Sequence, residues 1–419
     1  MKRQITIGEI AEINANSLTQ KDMFQEIMYL DTGNITRNEI DNIQVLNVMM
    51  DKIPSRAKRK VKDKTIIYST VRPNQEHYGF LENPGDNFII STGFSTIDVY
   101  DENTDEKFIY YLLTQKHITD YLHTIGENSV SSYPSINPDD IANLKFAVPD
   151  LKTQQSIAAV LSALDKKIAL NKQINARLED MAKTLYDYWF VQFDFPDANG
   201  KPYKSSGGDM VFDETLKREI PKGWEVKSLG EVISLERGVT YSKDSICNDE
   251  NGTGVLRATN ISGNNIDLND LIYISGEVGT QQKLKPFDIL IVMSSGSKEH
   301  IGKNGVYYFE QDNAFGAFCS KITPKKVFFE FVSIFLQSNN FRNYVKNQCL
   351  GTNINNLNNS HILHCPIVRP NDEYIEAFHK QIKLIYEKIS CNVKQNHQLT
   401  QLRDFLLPML MNGQVSVAE

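Results

Sequence analysis

The chain has 419 residues, of which 41% are hydrophobic and 23% charged, and its formal net charge is −7. This length allows about three domains, and the composition is typical of a globular protein. The most apolar run, residues 287–293, is much shorter than the roughly 18 residues that a membrane-spanning helix needs, and the first residues, MKRQITIGEI, do not resemble a secretory signal.

The five cysteines are odd in number and lack CxxC spacing. This argues against a zinc module or a disulfide framework and favours a reducing compartment, so we expect a cytoplasmic protein without membrane association. The negative total charge does not suggest a nucleic-acid binder, and the local distribution of charge is therefore more informative than the total.

Residues 1–148 alternate short β-like runs with turns. We predict strands at 26–30, 65–69, 88–91 and 96–100, a helix at 107–122 and a last strand at 144–149. This pattern indicates a domain of mixed α and β structure.

A long helix is predicted at 154–190. Its core positions follow alternating steps of four and three, which is the a/d seam of a coiled coil. They are Ile157, Leu161, Leu164, Ile168, Asn171, Asn175, Leu178, Ala182, Leu185 and Trp189. A helix of 37 residues would extend about 55 Å, which suits a spacer. The segment that follows, 196–222, is rich in Gly, Ser and Pro and is predicted to be a linker.

The same helix occurs again 221 residues later, at 376–407. Its seam is Phe378, Ile382, Ile385, Ile389, Asn392, Asn396, Leu399, Arg403 and Leu406. The domain before it also repeats: Gly8 matches Gly230, residues 29–36 match 255–262, and residues 61–69 match 284–292. Offsets of 221 to 226 over the whole chain indicate a tandem duplication of domain plus helix.

We therefore predict an α+β protein with two mixed α/β domains in a pseudo-two-fold arrangement, separated by two long helices that form an antiparallel coiled coil. The predicted boundaries are 1–148 for the first domain, 149–195 for the first helix, 196–222 for the linker, 223–368 for the second domain and 369–419 for the second helix.

Two asparagines lie at the centre of each seam, Asn171 and Asn175 in the first helix, Asn392 and Asn396 in the second. A buried Asn weakens a coiled coil but fixes its register, because an Asn that faces Leu loses its hydrogen bonds. Central placement allows either orientation, and the two-fold relation between the repeats selects the antiparallel one. The alternative is two independent surface helices with Asn on their margins.

Two residues of the second helix depart from the pattern. Pro408 has no counterpart in the first helix, and we expect it to end or kink the second helix near Leu407. Arg403 interrupts the apolar seam, and we expect it to extend to solvent at the edge of the seam.

No catalytic motif is found in the sequence. The phosphate-binding GxxxxGK[ST] loop, GxGxxG, HExxH and GxSxG are absent, as is the Asn/Asp-Pro-Pro-aromatic motif of adenine methyltransferases. Asp139, Asp140 and Asp150 could form a nuclease-like acidic cluster, but loop carboxylates of this kind are usually solvated.

The charge pattern is more informative. Residues 51–64 carry seven Lys or Arg and two Asp, a local net charge of +5 that suits contact with phosphates; the alternative is a solvated loop. The polar loop 69–79 follows, and Arg, Asn and Gln are the residue types that read guanine and adenine edges. The Asn-rich loop 351–359 of the second copy corresponds to residues 126–137 of the first. The candidate DNA-contacting residues are Arg37, Arg56, Lys58, Arg59, Lys60, Arg72, Asn74, Gln75, Tyr133, Arg257, Asn260, Ser295, Lys298, Lys303, Asn353 and Asn355.

The duplicated domain plus helix, the stretch FAVPDLKTQQSIAAVLSALDKKIALNKQINARLEDMAKTLYDYWFVQFDFP, the stretch IPKGWEVKSLGEV and the ending LLPMLMNGQV together resemble the specificity subunit of type I restriction-modification systems. The resemblance covers essentially the whole chain. It implies that each variable domain reads one half of a split sequence in double-stranded DNA. For both domains to face one side of B-DNA, the half-sites would lie about 10 bp apart, centre to centre.

The resemblance also implies that the helix pair docks two methyltransferase subunits, which in turn recruit motor-nuclease subunits. The chain would then be a non-catalytic subunit with no cofactor of its own, while S-adenosylmethionine, ATP and Mg²⁺ would bind the partner subunits. The alternatives are a specificity subunit of a methylation-only complex, a coiled-coil scaffold without DNA readout, and a self-sufficient methyltransferase or nuclease.

Overall fold

A computed structural model describes residues 2–19, 21–129, 134–248, 252–348 and 356–417. The chain divides into two compact units. Unit 1 consists of Met1–Lys167 and Leu399–Glu419, and unit 2 consists of Ile168–Gln398.

The strands are β1 Arg3–Thr6, β2 Ala11–Ile13, β3 Glu26–Leu30, β4 Ile35–Thr36, β5 Glu39–Ile40, β6 Gln44–Asn47, β7 Ala57–Lys60, β8 Thr65–Ser69, β9 Tyr78–Leu81, β10 Phe88–Ser91, β11 Phe94–Val99, β12 Lys145–Val148, β13 Met210–Asp213, β14 Arg218–Pro221, β15 Glu225–Ser228, β16 Ile233–Arg237, β17 Ile246–Cys247, β18 Thr253–Leu256, β19 Ile261–Ser262, β20 Asn265–Ile266, β21 Ile272–Ile274, β22 Ile289–Val292, β23 Asn304–Val306, β24 Ala314–Phe315, β25 Cys319–Pro324 and β26 Pro366–Arg369. The helices are α1 Ile7–Ile10, α2 Glu106–Leu113, α3 Lys116–Glu127, α4 Pro138–Ala142, α5 Leu151–Tyr186, α6 Phe329–Gln337, α7 Asn339–Gln348, α8 Asn359–Leu363 and α9 Asp372–Asn412.

The two units share one plan of sheets. Unit 1 has the strand order β2-β11-β8-β9, and unit 2 has the matching order β16-β25-β22-β23, which β20 and β19 extend. Each unit also has a second sheet with one parallel pair, β3 with β10 and β18 with β24. An antiparallel pair closes each domain, with Arg3 opposite Val148 in unit 1 and Glu225 opposite Arg369 in unit 2. The predicted duplication is confirmed.

The central strand of each unit is buried on both faces. In β8, Ile66 packs into the cluster that contains α2, whereas Ile67 packs against the second sheet. In β22, Ile289 and Leu290 divide between two clusters in the same way. Successive side chains of a strand point to opposite faces, so a strand between two apolar layers reads as a continuous apolar run. This accounts for the apolar sequence at 287–293.

The strands predicted at 26–30, 65–69 and 88–91 coincide with β3, β8 and β10. The helix predicted at 107–122 is two helices, α2 and α3, because the chain becomes extended at Gln115. The buried Gln115 side chain donates to the carbonyl oxygen of Leu112 at 3.2 Å, and this satisfies one of the acceptors that a helix end leaves open.

The two long helices pair antiparallel in each unit. In unit 2, Asn171 bonds to Asn396 and Asn175 bonds to Asn392, so residue numbers fall along one helix as they rise along the other. In unit 1, Asp165 of α5 forms an ion pair with Arg403 of α9. The antiparallel orientation predicted from the repeat is confirmed.

Of the two outcomes expected at Pro408, an end or a kink, the helix end is wrong, because α9 continues through this residue to Asn412. Proline inside a helix costs about 3 kcal/mol, since it removes one backbone hydrogen bond and crowds the preceding turn. The last turn buries Leu410 and Met411 in the core of unit 1, and burial of such side chains contributes about 1.5–3 kcal/mol each. Packing of the final turn therefore offsets the proline.

Part of the segment predicted to be a linker is ordered. β13 and β14 form an antiparallel hairpin, with Met210 opposite Pro221. Just before it, the ring of Phe195 stacks on Trp224 at 4.6 Å and on Tyr203 at 4.7 Å. These contacts reach residues distant in sequence, and so the Gly- and Ser-rich composition did not reveal them.

Candidate nucleic-acid interface

The polar loop after β8 is a tight turn with two residues in the left-handed backbone region. Arg72 has a φ of 48° and Glu76 a φ of 56°, and between them Pro73–Gln75 forms a 3₁₀ turn. Each such residue costs on the order of 1 kcal/mol or more, and strain of this kind concentrates at functional sites. The side chains of Arg72, Asn74 and Gln75 are exposed.

A second segment clamps this loop. Val71 forms an antiparallel β-bridge with Ser135. The amide of Arg72 donates to the carbonyl oxygen of Pro134 at 2.8 Å, and the amide of Ile136 donates to the carbonyl oxygen of Thr70 at 2.9 Å. The loops predicted at 69–79 and 126–137 therefore meet. Tyr133 lies outside the described residues.

Arg37 lies beside the same turn. It occupies the turn between β4 and β5, and its Nε donates to Glu76 Oε2 at 2.5 Å. The ring of His77 contacts the carbonyl oxygen of Ile35, with Nδ1 at 2.5 Å. The structure thus brings Arg37 together with the loop that contains Arg72, Asn74 and Gln75.

The basic segment, for which a solvated loop was the alternative, contains strand β7 at a sheet edge. Arg56 is connected to the loop after β8 through residues 92 and 93. The backbone carbonyl oxygen of Arg56 accepts from the amide of Thr92, and the carbonyl oxygen of Gly93 accepts from the amide of Thr70, both at 2.8 Å. The side chains of Arg56 and Lys58 are exposed, and the described ranges offer neither of them an acidic partner.

The side chains of Lys60 and Arg59 are less available for contact with phosphates. Lys60 bonds to Asp22 at 2.5 Å, and this bond, together with those from Thr19, lowers the pKa of Asp22 to about 2. Arg59 is half-buried, burial lowers its pKa, and its Nε finds no hydrogen-bond partner among the residues that the structure describes. Of the four cations, Arg56 and Lys58 suit phosphate contact best.

The second unit repeats the clamp. After β22, Ser294 pairs with Asn356, and the amide of Leu357 donates to the carbonyl oxygen of Met293 at 2.7 Å. Ser294 and Asn356 lie 223 and 221 residues after Val71 and Ser135, so equivalent loops meet in both units. We did not identify Ser135 or Asn356 as loop clamps from the sequence, although the repeat offset was the signal that could have indicated them.

The loop after β22 carries Ser295, Lys298 and Lys303. Both lysines are exposed, and the Ser295 hydroxyl accepts from the amide of Ser297 at 3.3 Å. Asn353 and Asn355 lie outside the described residues.

Asn260 requires a correction. It is 3% exposed, its side-chain amide donates to the carbonyl oxygens of Asp267 and Asn269, and its side-chain oxygen accepts from the amide of Arg257. A side chain with these bonds holds a turn and is not placed to read a base. Arg257 is partly buried, and its guanidinium bonds to Asp270 at 2.7 Å.

The four seam asparagines form two hydrogen-bonded pairs in unit 2. Asn171 Nδ2 donates to Asn396 Oδ1, and Asn392 Nδ2 donates to Asn175 Oδ1, each at 2.8 Å. Asn171, Asn175 and Asn392 are buried, and Asn171 also bonds to Gln395. Each amide thus meets a polar partner across the helix pair, as a register-fixing role requires.

Two of the three acidic residues considered for catalysis, Asp140 and Asp150, have local structural roles. Asp140 accepts from the amide of Asn137 at the start of α4, and Asp150 accepts from the amide and hydroxyl of Thr153 in the first turn of α5. Those bonds lower the pKa of Asp150. Within the described ranges, no group of three or more His, Cys, Asp or Glu side chains could hold a metal ion, and no helix is both long and apolar enough to cross a membrane.

Comparison with known proteins agrees with the duplicated architecture. A family model described as the type I restriction modification DNA specificity domain matches residues 2–180 and again residues 221–400. The chain belongs to this specificity family. Members of this family are non-catalytic subunits of type I restriction-modification complexes.

Individual relatives in this family cover different parts of the chain. The type I restriction enzyme HindI specificity subunit of Haemophilus influenzae is 25% identical and covers 99% of both chains. The EcoKI specificity subunit of Escherichia coli strain K12 is 36% identical over 33% of this chain and 31% of its own length. The crystal structure of a type I restriction-modification S subunit from M. genitalium is 16% identical, covers 98% of this chain and 96% of its own, and has a TM-score of 0.52, which supports the same fold.

Proposed function

We propose that this family member is the DNA-sequence specificity subunit of a type I restriction-modification complex and that it reads a bipartite target. Residues 1–148 would read one half-site and residues 223–368 the other. The observation that carries the proposal is the repeated clamp, in which Val71 with Ser135 and Ser294 with Asn356 hold equivalent polar loops. Two readers that share a frame but differ in loop sequence suit two different half-sites.

In the first domain, Arg72, Asn74 and Gln75 are the proposed base-reading residues, and Arg37 supports their loop. Arg and the amide side chains can form paired hydrogen bonds with guanine and adenine, worth about 1–3 kcal/mol of discrimination for each good pair. Arg56 and Lys58 would contact phosphates, which position a protein on the duplex without reading sequence.

In the second domain, Ser295, Lys298 and Lys303 are the proposed contacts, together with Asn353 and Asn355 from the loop that Asn356 follows. Lysine side chains give phosphate contact and steering. We leave Asn260 out of the proposed interface because its amide is fully bonded inside the protein.

The helices at 149–195 and 369–419 would separate the two readers and dock two methyltransferase subunits, through which motor-nuclease subunits join. S-adenosylmethionine, ATP and Mg²⁺ would then bind those partners. The seam asparagines would fix the register of the helix pair. A methylation-only complex would use this chain in the same way, and the two assemblies differ only in whether DNA is cut.

The test is a methylome. The chain is produced with a type I methyltransferase subunit in a host that lacks adenine methylation, and methylated adenines are mapped by single-molecule sequencing. We expect one bipartite motif with a fixed gap. Methyl transfer by the purified chain alone would refute the proposal, as would a functional complex whose methylation has no bipartite motif.

A further inference from the structure

Arg403 occupies a seam position where a coiled coil expects an apolar residue, yet its side chain does not extend into solvent. It is 20% exposed, and its Nη1 donates to Asp165 Oδ1 at 2.9 Å. Asp404 accepts from its Nε and Nη2 at 3.0 and 2.9 Å. The expectation of a solvent-reaching arginine was therefore wrong, because acidic partners on both helices hold the guanidinium in place.

The same carboxylate bonds to the recognition domain. Tyr111 of α2 donates from its hydroxyl to Asp165 Oδ2 at 2.6 Å. Asp165 thus uses one oxygen for α9 and the other for α2, while its own backbone belongs to α5. Tyr111 is buried, and burial with the Asp165 charge nearby raises its pKa, so the hydroxyl stays protonated and donates.

A row of aromatic rings extends from this junction to the candidate reading loop. The ring of Tyr111 lies 5.1 Å from that of Tyr110, and Tyr110 lies 6.3 Å from Tyr78 in an edge-on arrangement. Tyr78 follows directly after the loop of Arg72, Asn74 and Gln75. Packed rings of this kind transmit a small displacement because protein interiors have little free space.

The positions of unit 2 equivalent to Asp165 and Arg403 cannot form an ion pair. At the offset of 221, Tyr386 stands in the place of Asp165 and Ala182 in the place of Arg403. The hydroxyl of Tyr386 bonds only weakly to Ser333 of α6, at 3.3 Å, and its ring packs on Phe329 at 5.1 Å. Unit 2 joins α6 to α9 at other positions, where Glu330 Oε2 lies 2.7 Å from His379 Nδ1. The shared carboxylate of Asp165, bonded to both α2 and α9, therefore has no equivalent at the matching positions of the second domain.

We propose that Tyr111, Asp165 and Arg403 are positioning residues that fix the orientation of the first recognition domain on the helix pair and so restrict the gap length that the chain accepts between half-sites. The inference rests on the proposed function. A hydrogen bond to a charged acceptor has a defined direction, whereas an apolar contact tolerates small rotations, so this junction holds the domain at one angle.

The test uses the full chain with its methyltransferase partner and reads the methylome for the two half-sites at every gap length. Tyr111→Phe removes only the hydroxyl. In the second variant, Arg403→Leu restores an apolar residue to the seam and Asp165→Leu removes the acceptor of Tyr111. Replacement of a buried ion pair by apolar residues is often tolerated, so the helices remain paired. Tyr386→Phe is the matched control in unit 2.

We expect wild type and Tyr386→Phe to methylate one gap length. Both junction variants should methylate the same half-sites also at gaps one base pair shorter or longer, with the preference for the original gap reduced roughly tenfold, which corresponds to about 1.4 kcal/mol. This ratio does not depend on how much complex is folded. An unchanged single gap in both variants would overturn the inference, whereas a wild-type complex without any bipartite motif would refute the proposed function and the inference with it.

Discussion

Adding one heptad to both long helices tests their role as a spacer. The boundary between the two units falls between Lys167 and Ile168 in α5 and between Gln398 and Leu399 in α9. Seven residues inserted at both points preserve the 4-3 seam and leave the residues of each recognition domain unchanged.

The expected change in the target follows from helix geometry. Seven residues at 1.5 Å each add about 10.5 Å, and B-DNA rises about 3.4 Å per base pair along each strand, so the gap should lengthen by roughly 3 bp. The methylome of cells that contain the variant complex gives both the half-sites and the gap. We expect unchanged half-sites and a longer gap.

A heptad inserted in α5 alone is the matched control. With the asparagine pairs of unit 2 kept in place, it moves Asp165 one heptad away from Arg403, and it should abolish methylation instead of shifting the gap. If the double insertion alters the letters of the half-sites and leaves the gap as it was, the helices do not act as the spacer.

Two further variants test the phosphate contacts and the helix register. Arg56→Glu with Lys58→Glu should weaken DNA binding by the complex and lower the slope of log affinity against log salt by roughly 2, because each lost phosphate contact removes about 0.9 from the slope. Asn392→Leu should destabilise the chain to urea by about 1–3 kcal/mol, since it leaves the buried oxygen of Asn175 without its donor; adding Asn175→Leu should recover most of the loss.

Each of these variants has its own control. Lys217→Glu with Lys222→Glu makes the same change in charge on the β13–β14 hairpin, and we expect near-normal DNA affinity. An equal loss of DNA affinity in both charge variants would show that affinity depends on the total charge of the chain and not on the surface that contains Arg56 and Lys58. For the asparagines, additive effects of the two substitutions would mean that the 2.8 Å bond between them does not stabilise the helix pair.

The duplicated plan could be predicted from the sequence because it depends on repeated local patterns. The 4-3 spacing, the matching asparagines and the constant offset identify the helices, and the burial of β8 and β22 on both faces leaves a clear apolar signature. The correspondence of loop 126–137 with loop 351–359 in the second copy was also recognised from the repeat.

The misinterpreted residues depend on contacts that the residue type does not reveal. From the sequence, Arg403 only interrupts the apolar seam, and its ion pair with Asp165, which also binds Tyr111, is not visible. Pro408 predicts a helix end, and the burial of Leu410 beyond it is not visible either. Asn260 has the right chemistry for adenine, but its amide holds a turn. Residue type alone does not distinguish a base-reading side chain from one that is already bonded.

The central claim, one reader for each half-site, is tested most directly by a methylome of the variant Arg72→Ala, Asn74→Ala and Gln75→Ala. The loop of the second domain stays intact. We predict that one half-site loses discrimination at one or more bases, by about ten- to a hundredfold for each paired contact removed, while the other half-site and the gap stay the same. Relaxation of both half-sites, or of neither, would contradict the account.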